Sequence, residues 1–404
     1  MRILVQKFGG TSVANLECMK KVREKVLAAR AKGFKVVVVL SAMSGETNRL
    51  LGLAKEWSNS PDPAEIDVLV STGEQVSVAL FSMLMKDAGV NTRSLLGYQV
   101  PVSTDCAHGN ARILGINQDK LQALLEEHDV LAVAGFQGCT DGSRVTTLGR
   151  GGSDTSAVAF AAALGCECEI YTDVDGVYTT DPNIVSTARK MDRVSYDEML
   201  EMASMGAKVL QIRSVEFAKK YKVPVLVRST FTDAPGTLVT QEDSRMEAVL
   251  VSGIAYDKDQ ARVTLRDVPD VPGIASNLFG PLAEGGVVVD MIVQNPSRDN
   301  KTDMTFTVPR GDLDKTLELM AEIQKQTNAA EVLHDLHVCK VSAIGVGMRN
   351  HSGVAAQAFD ALRRENINIL MISTSEIKIT CLIEEKYTEL AVRTLHDAFG
   401  LGKE

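Results

Sequence analysis

Three observations predict an α/β protein: a sandwich with a mostly parallel sheet, followed by two ferredoxin-like modules. Over the first ~240 residues, continuous β-branched runs alternate with segments of helical periodicity, the pattern of parallel strands covered by helices on both faces. Glycine-rich loops follow several of those runs directly, at the strand ends where open α/β sheets bind their ligands. Behind them, Gly273, Phe279, Leu282, Met291 and Ile292 recur as Gly353, Phe359, Leu362, Met371 and Ile372 at a constant offset, which marks an internal repeat.

Taken in chain order, Ile3–Phe8 is a short apolar strand ending in glycines. Asn15–Ala31 carries Met19, Val22, Val26 and Leu27 at helical spacing, with Gly33 as its stop. Lys35–Leu40 is a β-branched run suited to a strand buried on both faces, as are Val130–Ala134, Glu169–Tyr171 and Val223–Val227. Helical patterns fall at Val76–Asp87, Asp154–Leu164 and Tyr196–Met205. The polar stretch Gln241–Arg245 then closes a first domain, expected to span 1–245.

The first repeat reads strand, helix, strand, strand, helix, strand from Ala261 to His337, the βαββαβ order of a ferredoxin-like module. The second, from Lys340, runs out at its second helix, Tyr387–Phe399, one strand short. Ala248–Ala255 is unclaimed and is expected to supply that strand. The first module (261–339) would then be inserted within the second (246–260 plus 340–404).

The chain has 404 residues, 45% apolar and 24% charged, which excludes disorder as its main state. A net charge of −9 argues against a nucleic-acid partner. The longest uninterrupted apolar stretches, Val36–Leu40 and Ala157–Leu164, fall far short of the ~20 residues that span a bilayer, so no membrane partner is expected. The N-terminus shows no signal-peptide pattern. Seven cysteines without a CxxC pair, and six histidines without metal-ligand spacing, fit a reducing cytoplasm and no resident metal.

Six segments carry chemistry. In Lys7-Phe8-Gly9-Gly10-Thr11-Ser12, between strand and helix, glycines let backbone N–H groups approach phosphate oxygens, and Lys7 can neutralise charge on a transferring phosphoryl group. The pattern is neither a Walker loop nor a dinucleotide fingerprint, and a plain strand-to-helix turn is the other reading. Ser41–Asn48 suits either a helix N-cap or a bound carboxylate. In Ser71-Thr72-Gly73-Glu74-Gln75, Glu74 stands at an expected helix start, favoured there by the dipole or as a partner for a substrate ammonium. Thr147–Thr155 places Arg150 between glycines, ready to grip a carboxylate bidentately, or forms a flexible loop. Tyr171–Pro182 offers Tyr178 for base stacking and acids for a nucleotide-borne Mg²⁺, or a hairpin-like loop. In Met205–Val209, Lys208 could reach a phosphate or be merely solvated.

In this order, KFGGTS, SAMSGETN, STGEQ, TTLGRGGSDT, YTDVDGVYTTDP and MGAKVL, followed by two ferredoxin-like repeats, closely resemble the aspartate kinase family over essentially the whole chain. The resemblance implies the amino-acid kinase fold, an αβα sandwich, with paired C-terminal ACT domains in which the second takes its last strand from before the first. It implies phosphoryl transfer from ATP, with Mg²⁺ carried on the nucleotide, to the side-chain carboxylate of L-aspartate, opening lysine, threonine and methionine biosynthesis. Lys7, Glu74 and Asp154 would be catalytic. Ser41, Thr47, Glu74, Arg150 and Ser153 would surround aspartate. Lys7, Phe8, Gly9, Gly10, Thr172, Asp173, Tyr178, Lys208 and Val209 would line the nucleotide. Lysine, threonine or both would bind as effectors at Asp270, Gly273, Ile274, Ala275, Val288, Val289, Asp290 and Gln294 of the first ACT domain and Val354, Ala355, Ile369, Leu370 and Glu376 of the second. Edge-to-edge ACT pairing would make a homodimer or larger. Asn183 departs from the arginine that commonly follows the family's Asp-Pro pair. The rival readings are another amino-acid kinase and a non-catalytic amino-acid sensor.

Overall fold

The computed structural model describes residues 1–206, 209–243, 246, 249–295 and 300–403, with only the backbone of Asn350. The chain folds into two compact units: Met1–Tyr178 with Lys190–Ser204 and Lys208–Glu247, and Thr179–Arg189 with Met205–Ala207 and Ala248–Glu404.

The first unit runs β1 (Arg2–Phe8), α1 (Leu16–Ala31), β2 (Phe34–Leu40), α2 (Glu46–Trp57), α3 (Pro63–Asp87), β3 (Thr92–Leu95), β4 (Val102–Thr104), β5 (Ile113–Ile116), α4 (Gln118–Glu127), β6 (Val130–Ala134), β7 (Gln137–Cys139), β8 (Val145–Thr147), α5 (Gly152–Leu164), β9 (Cys168–Thr172), β10 (Arg193–Ser195), α6 (Tyr196–Ser204), α7 (Ile212–Tyr221), β11 (Val225–Ser229) and β12 (Thr237–Thr240). Among the described residues its main sheet has the order β10-β12-β11-β9-β1-β2-β6-β3, parallel throughout except for the β11–β12 pair. Val36–Leu40 is wholly buried, as a strand covered on both faces requires. On one face Met19, Val22 and Val26 of α1 join Val78, Phe81 and Met85 of α3. On α5 every residue from Gly152 to Ala161 is buried, which its run of alanines permits.

Two features depart from the sequence reading. A second small sheet, β5-β4-β7-β8, is built from strands too short to show periodicity. The helix expected from Val76 instead begins at Pro63, capped by Asp62, whose side chain accepts the Ala64 and Glu65 N–H groups. Ser71–Gln75 therefore lies inside α3, and Glu74 is not at a helix start. The misleading residue is Gly73: a Cβ there would come within 2.8 Å of the Ala42 Cβ, so this glycine marks close packing and not a chain break. By length and composition α3 could cross a membrane, but half of its most apolar window is buried in the protein, and its inner face carries Asp67, Ser71, Glu74 and Ser77. It is a core helix.

The second unit runs β13 (Gly253–Pro269), α8 (Ile274–Glu284), β14 (Ile292–Asn295), β15 (Lys301–Val308), α9 (Leu313–Thr327), β16 (Glu331–Ile344), α10 (Val354–Arg364), β17 (Ile369–Thr374), β18 (Lys378–Glu384) and α11 (Thr388–Ala398). Among the described residues one sheet serves both repeats, in the order β14-β15-β13-β16-β18-β17. Strands expected as separate pieces are continuous: β13 pairs through Gly253–Asp257 with Lys340–Ile344, and through Arg262–Arg266 with Glu331–Asp335. Register shifts around Gln260 mark the joint. Each repeat keeps its own core, one around Leu278, Phe306 and Met320, the other around Leu362, Ile383 and Leu395. The segment Thr179–Arg189 joins the latter core through Val185, and Thr179 Oγ1 lies 3.0 Å from Nε2 of the buried His396.

Candidate active site

The parallel strands of the first unit bring the motif loops to one edge of the sheet. Ser41 N–H donates to Phe8 O at 3.2 Å, Gly135 N–H to Leu40 O at 3.0 Å, and Gly9 N–H to Tyr171 O at 3.4 Å. At this edge Lys7 Nζ lies 2.6 Å from Asp154 Oδ1, each side chain about 11% exposed. Asp154 opens α5, whose cap Gly151 has φ +71°, and a Cβ on Gly151 would strike Gln211. Gly9 leaves space for the lysine, since a Cβ there would sit 3.3 Å from Lys7 Nζ.

Glu74 is buried, and its Oε1 accepts the Ala42 N–H at 3.0 Å. Its Oε2 is buried without a hydrogen-bond partner among the described residues. Burial pushes the carboxyl pKa up to about 7, against the lowering effect of the Ala42 N–H. A cation supplied from outside the chain would satisfy both the orphan oxygen and the charge.

Arg150 is exposed between Gly149 (φ +80°) and Gly151. Ser41 and Thr47 are half-buried. Ser153 is buried over Gly135, where any Cβ would lie 2.8 Å from its Oγ. Thr172 Oγ1–H donates to the exposed Asp173, and Tyr178 O–H donates to Asp175 Oδ1 at 2.7 Å. Gly10 is half-buried, and a Cβ there would come 3.0 Å from Ala42 O. Val209 is half-buried in a turn, while Lys208 lies outside the described residues. Phe8 is placed differently from a ligand contact: its ring is wholly buried and stacked on Tyr171, centroids 4.6 Å apart, so only its backbone faces the loops.

Three residues that sequence reasoning did not single out border this edge: Asp67, His108 and Arg213. Asp67 is bonded by His108 Nδ1, Thr147 Oγ1 and Gly109 N–H, and Arg213 donates to Asn110 Oδ1 and to the Leu148 and Ala111 carbonyls. The available signal was spacing, since Asp67 precedes Glu74 by seven residues, two turns of one helix.

The expected effector residues lie in the second unit. Gly273 and Gly353 occupy equivalent cap positions of α8 and α10, at φ +92° and +100°. Asp270, Ala275, Val288 and Gln294 are exposed and Val289 half-buried, while Ile274 and Val354 are buried. Ala355, Ile369 and Leu370 are half-buried, and the exposed Glu376 lies 3.6 Å from Arg349 Nε. Asp290 is already paired with the fully buried Lys340. Among the described residues no group of three His, Cys, Asp or Glu side chains is placed to hold a metal ion.

Residues 2–229 match the amino acid kinase family, and residues 263–327 and 341–399 each match an ACT domain family. An aspartokinase of Pseudomonas aeruginosa is 55% identical over 404 residues, 99% of this chain and 98% of that protein. The crystal structure of E. coli aspartokinase III in complex with aspartate and ADP (R-state) is 29% identical and superposes with a TM-score of 0.82, covering 98% of this chain and 99% of that one. The same enzyme in complex with lysine and aspartate (T-state) is 28% identical with a TM-score of 0.78, at the same coverage.

Proposed function

The chain belongs to the aspartate kinase family, and from that premise we propose that it transfers the terminal phosphoryl group of ATP to the side-chain carboxylate of L-aspartate, giving 4-phospho-L-aspartate and ADP. The observation that carries the choice of an amino-acid substrate is Glu74 Oε2, a buried carboxylate oxygen without a hydrogen-bond partner among the described residues. An α-ammonium group supplies the missing donor and charge.

The reaction needs little acid–base help. An aspartate side chain, with an ordinary pKa near 4, is ionised and nucleophilic at neutral pH. Its oxygen forms a bond to the γ-phosphorus while the bond to the bridging oxygen of ADP breaks. The difficulty is bringing two anions together, so catalysis is positioning and charge neutralisation. Glu74 would take the ammonium and Arg150 the α-carboxylate, with Ser41, Thr47 and Ser153 around them. That leaves the β-carboxylate directed at the phosphate. Lys7, held by Asp154, would meet charge on the transferring group beside the Gly9-Gly10 backbone. Thr172, Asp173, Tyr178, Lys208 and Val209 would line the nucleotide, with Phe8 contributing through its backbone. Mg²⁺ would travel with the phosphates and draw additional charge off them. The exposed Asp173 is an acid of the hard-oxygen type that such an ion prefers.

The product would enter lysine, threonine and methionine biosynthesis, with the enzyme in the cytoplasm. The second unit would sense amino acids through the residues around α8, β14, α10 and β17. Lysine is supported by the aspartokinase III complex with lysine, and threonine is the other candidate effector. Asp290 would serve an effector ammonium only by sharing or releasing Lys340. Edge strands β14 and β17 would pair with another copy in a homodimer or larger. We divide the chain into a catalytic domain (1–245), an inserted ACT domain (261–339) and a second ACT domain (246–260 plus 340–404). The β13–β16 pairing supports this division. A coupled ADP-release assay tests the function: turnover is expected with L-aspartate and not with L-glutamate. Turnover with glutamate alone would assign another amino-acid kinase, and none with either would leave a sensor.

A further inference from the structure

Asp67 is completely buried, yet it belongs to none of the substrate or nucleotide contacts above. A buried carboxylate is costly unless its oxygens are bonded. Here the donors come from the 108–109 loop and from Thr147, the last residue of β8. Thr147 Oγ1–H donates to Oδ1 at 2.5 Å, Gly109 N–H lies 3.1 Å from each oxygen, and His108 Nδ1 lies 2.7 Å from Oδ2. With Asp67 as the acceptor, Nδ1–H is the His108 tautomer that makes this bond.

That loop and the end of β8 are also tied to each other. Ala111 N–H donates to Thr147 O at 2.9 Å. The Arg213 guanidinium donates to Asn110 Oδ1 at 2.9 Å, Leu148 O at 2.6 Å and Ala111 O at 2.8 Å. Thr147 and Leu148 are thus fixed from several sides, immediately before Gly149-Arg150-Gly151. Arg150 is exposed, and no hydrogen bond or ion pair anchors its guanidinium among the described residues. Its reach is therefore set by the backbone on which it stands.

We propose that Asp67, supported by His108, is a positioning residue for the substrate's α-carboxylate, acting through Thr147 on the Arg150 loop. The inference rests on the reading that Arg150 holds that carboxylate. One helix then registers both halves of the α-amino-acid group: Glu74 directly, and Arg150 through Asp67, about 10 Å further along the axis of α3. A rigid spacing of this kind selects substrates bearing an ammonium and a carboxylate on one carbon.

The test is steady-state kinetics on the full chain for Asp67→Asn, His108→Ala, His108→Asn, Arg150→Ala and the double variant His108→Ala/Arg150→Ala. His108→Ala keeps the proposal testable should Asp67→Asn fold poorly. Asp67→Asn and His108→Ala are expected to raise the KM for aspartate about tenfold, with the KM for ATP within about twofold and kcat within about threefold of the unaltered enzyme. His108→Asn, whose amide N–H replaces the ring donor, should restore the KM. In the Arg150→Ala background, His108→Ala should add nothing. An unchanged KM for aspartate in His108→Ala, an equal rise for both substrates, or a full additional rise in the double variant would each overturn the proposal. If Arg150→Ala raises the KM and the other two variants do not, positioning fails while the role of Arg150 stands. If Arg150→Ala leaves the KM unchanged, that role fails and the proposal with it.

Discussion

Lys7 Nζ and Asp154 Oδ1 stand 2.6 Å apart, joining the end of β1 to the first turn of α5 in an ion pair that lacks hydrogen-bond alignment. One carboxylate contact does not saturate the three ammonium donors, so on the proposed reading Lys7 would keep N–H groups for a phosphoryl group. Lys7→Ala is expected to lower kcat by two to three orders of magnitude, the usual cost of losing a preorganised charge-stabilising donor. Asp154→Asn should lower it less, because the lysine remains but is no longer aimed. Single-turnover rates of ADP formation separate the two, and a Lys7→Ala enzyme with near-normal kcat would refute the role.

Arg150→Ala is expected to act on the other kinetic constant. A charge-assisted contact to a carboxylate contributes about 1.5–3 kcal/mol, so the KM for aspartate should rise roughly tenfold to a hundredfold. The KM for ATP should hardly move. Initial-rate measurements with each substrate varied in turn decide this.

Glu74 predicts an acidic limb in the pH profile. Its carboxyl, raised by burial to about 7, must be ionised to hold an ammonium group. In the free enzyme kcat/KM for aspartate should therefore fall about tenfold per pH unit below about 7, and Glu74→Gln should abolish that limb at a lower plateau. Stability moves the opposite way. The folded-state pKa lies above the ordinary 4.5, so the folded state binds the extra proton between about 4.5 and 7. This group's contribution therefore improves as pH falls through that window. Thermal melts of both proteins across this range should differ in slope with that sign.

In the second unit, Lys340 is fully buried and Asp290 half-exposed. Burial depresses the lysine pKa, while Asp290 acts to raise it. Asp290→Ala should lower Tm by a few degrees by leaving a buried ammonium unpaired, and adding Lys340→Met should recover most of the loss. Differential scanning calorimetry of the single and double variants checks this. No recovery in the double variant would refute it.

Much of the fold is legible in the residues themselves. Val36–Leu40 and Val130–Ala134 are continuous buried runs, and they pair in parallel register from Val36↔Val130 to Leu40↔Ala134. The segments that misled did so for identifiable reasons. Ser71-Thr72-Gly73 reads as a loop by composition, yet it lies inside α3, where position 73 is glycine because only a hydrogen fits against Ala42. Phe8 reads as part of a phosphate loop, yet strand alternation turns its ring into the core against Tyr171.

By itself the sequence determined the local chemistry: where strands stop, where glycines follow them, and which cations and carboxylates sit in those loops. These follow from periodicity and backbone freedom, which are properties of neighbouring residues. Only the tertiary structure decided which distant groups satisfy one another. Asp67 finds Thr147 and His108, Lys340 finds Asp290, and Glu74 Oε2 is left without a hydrogen-bond partner among the described residues. A carboxylate's exposure, and hence its pKa, is set by everything packed around it, and no window of sequence contains that.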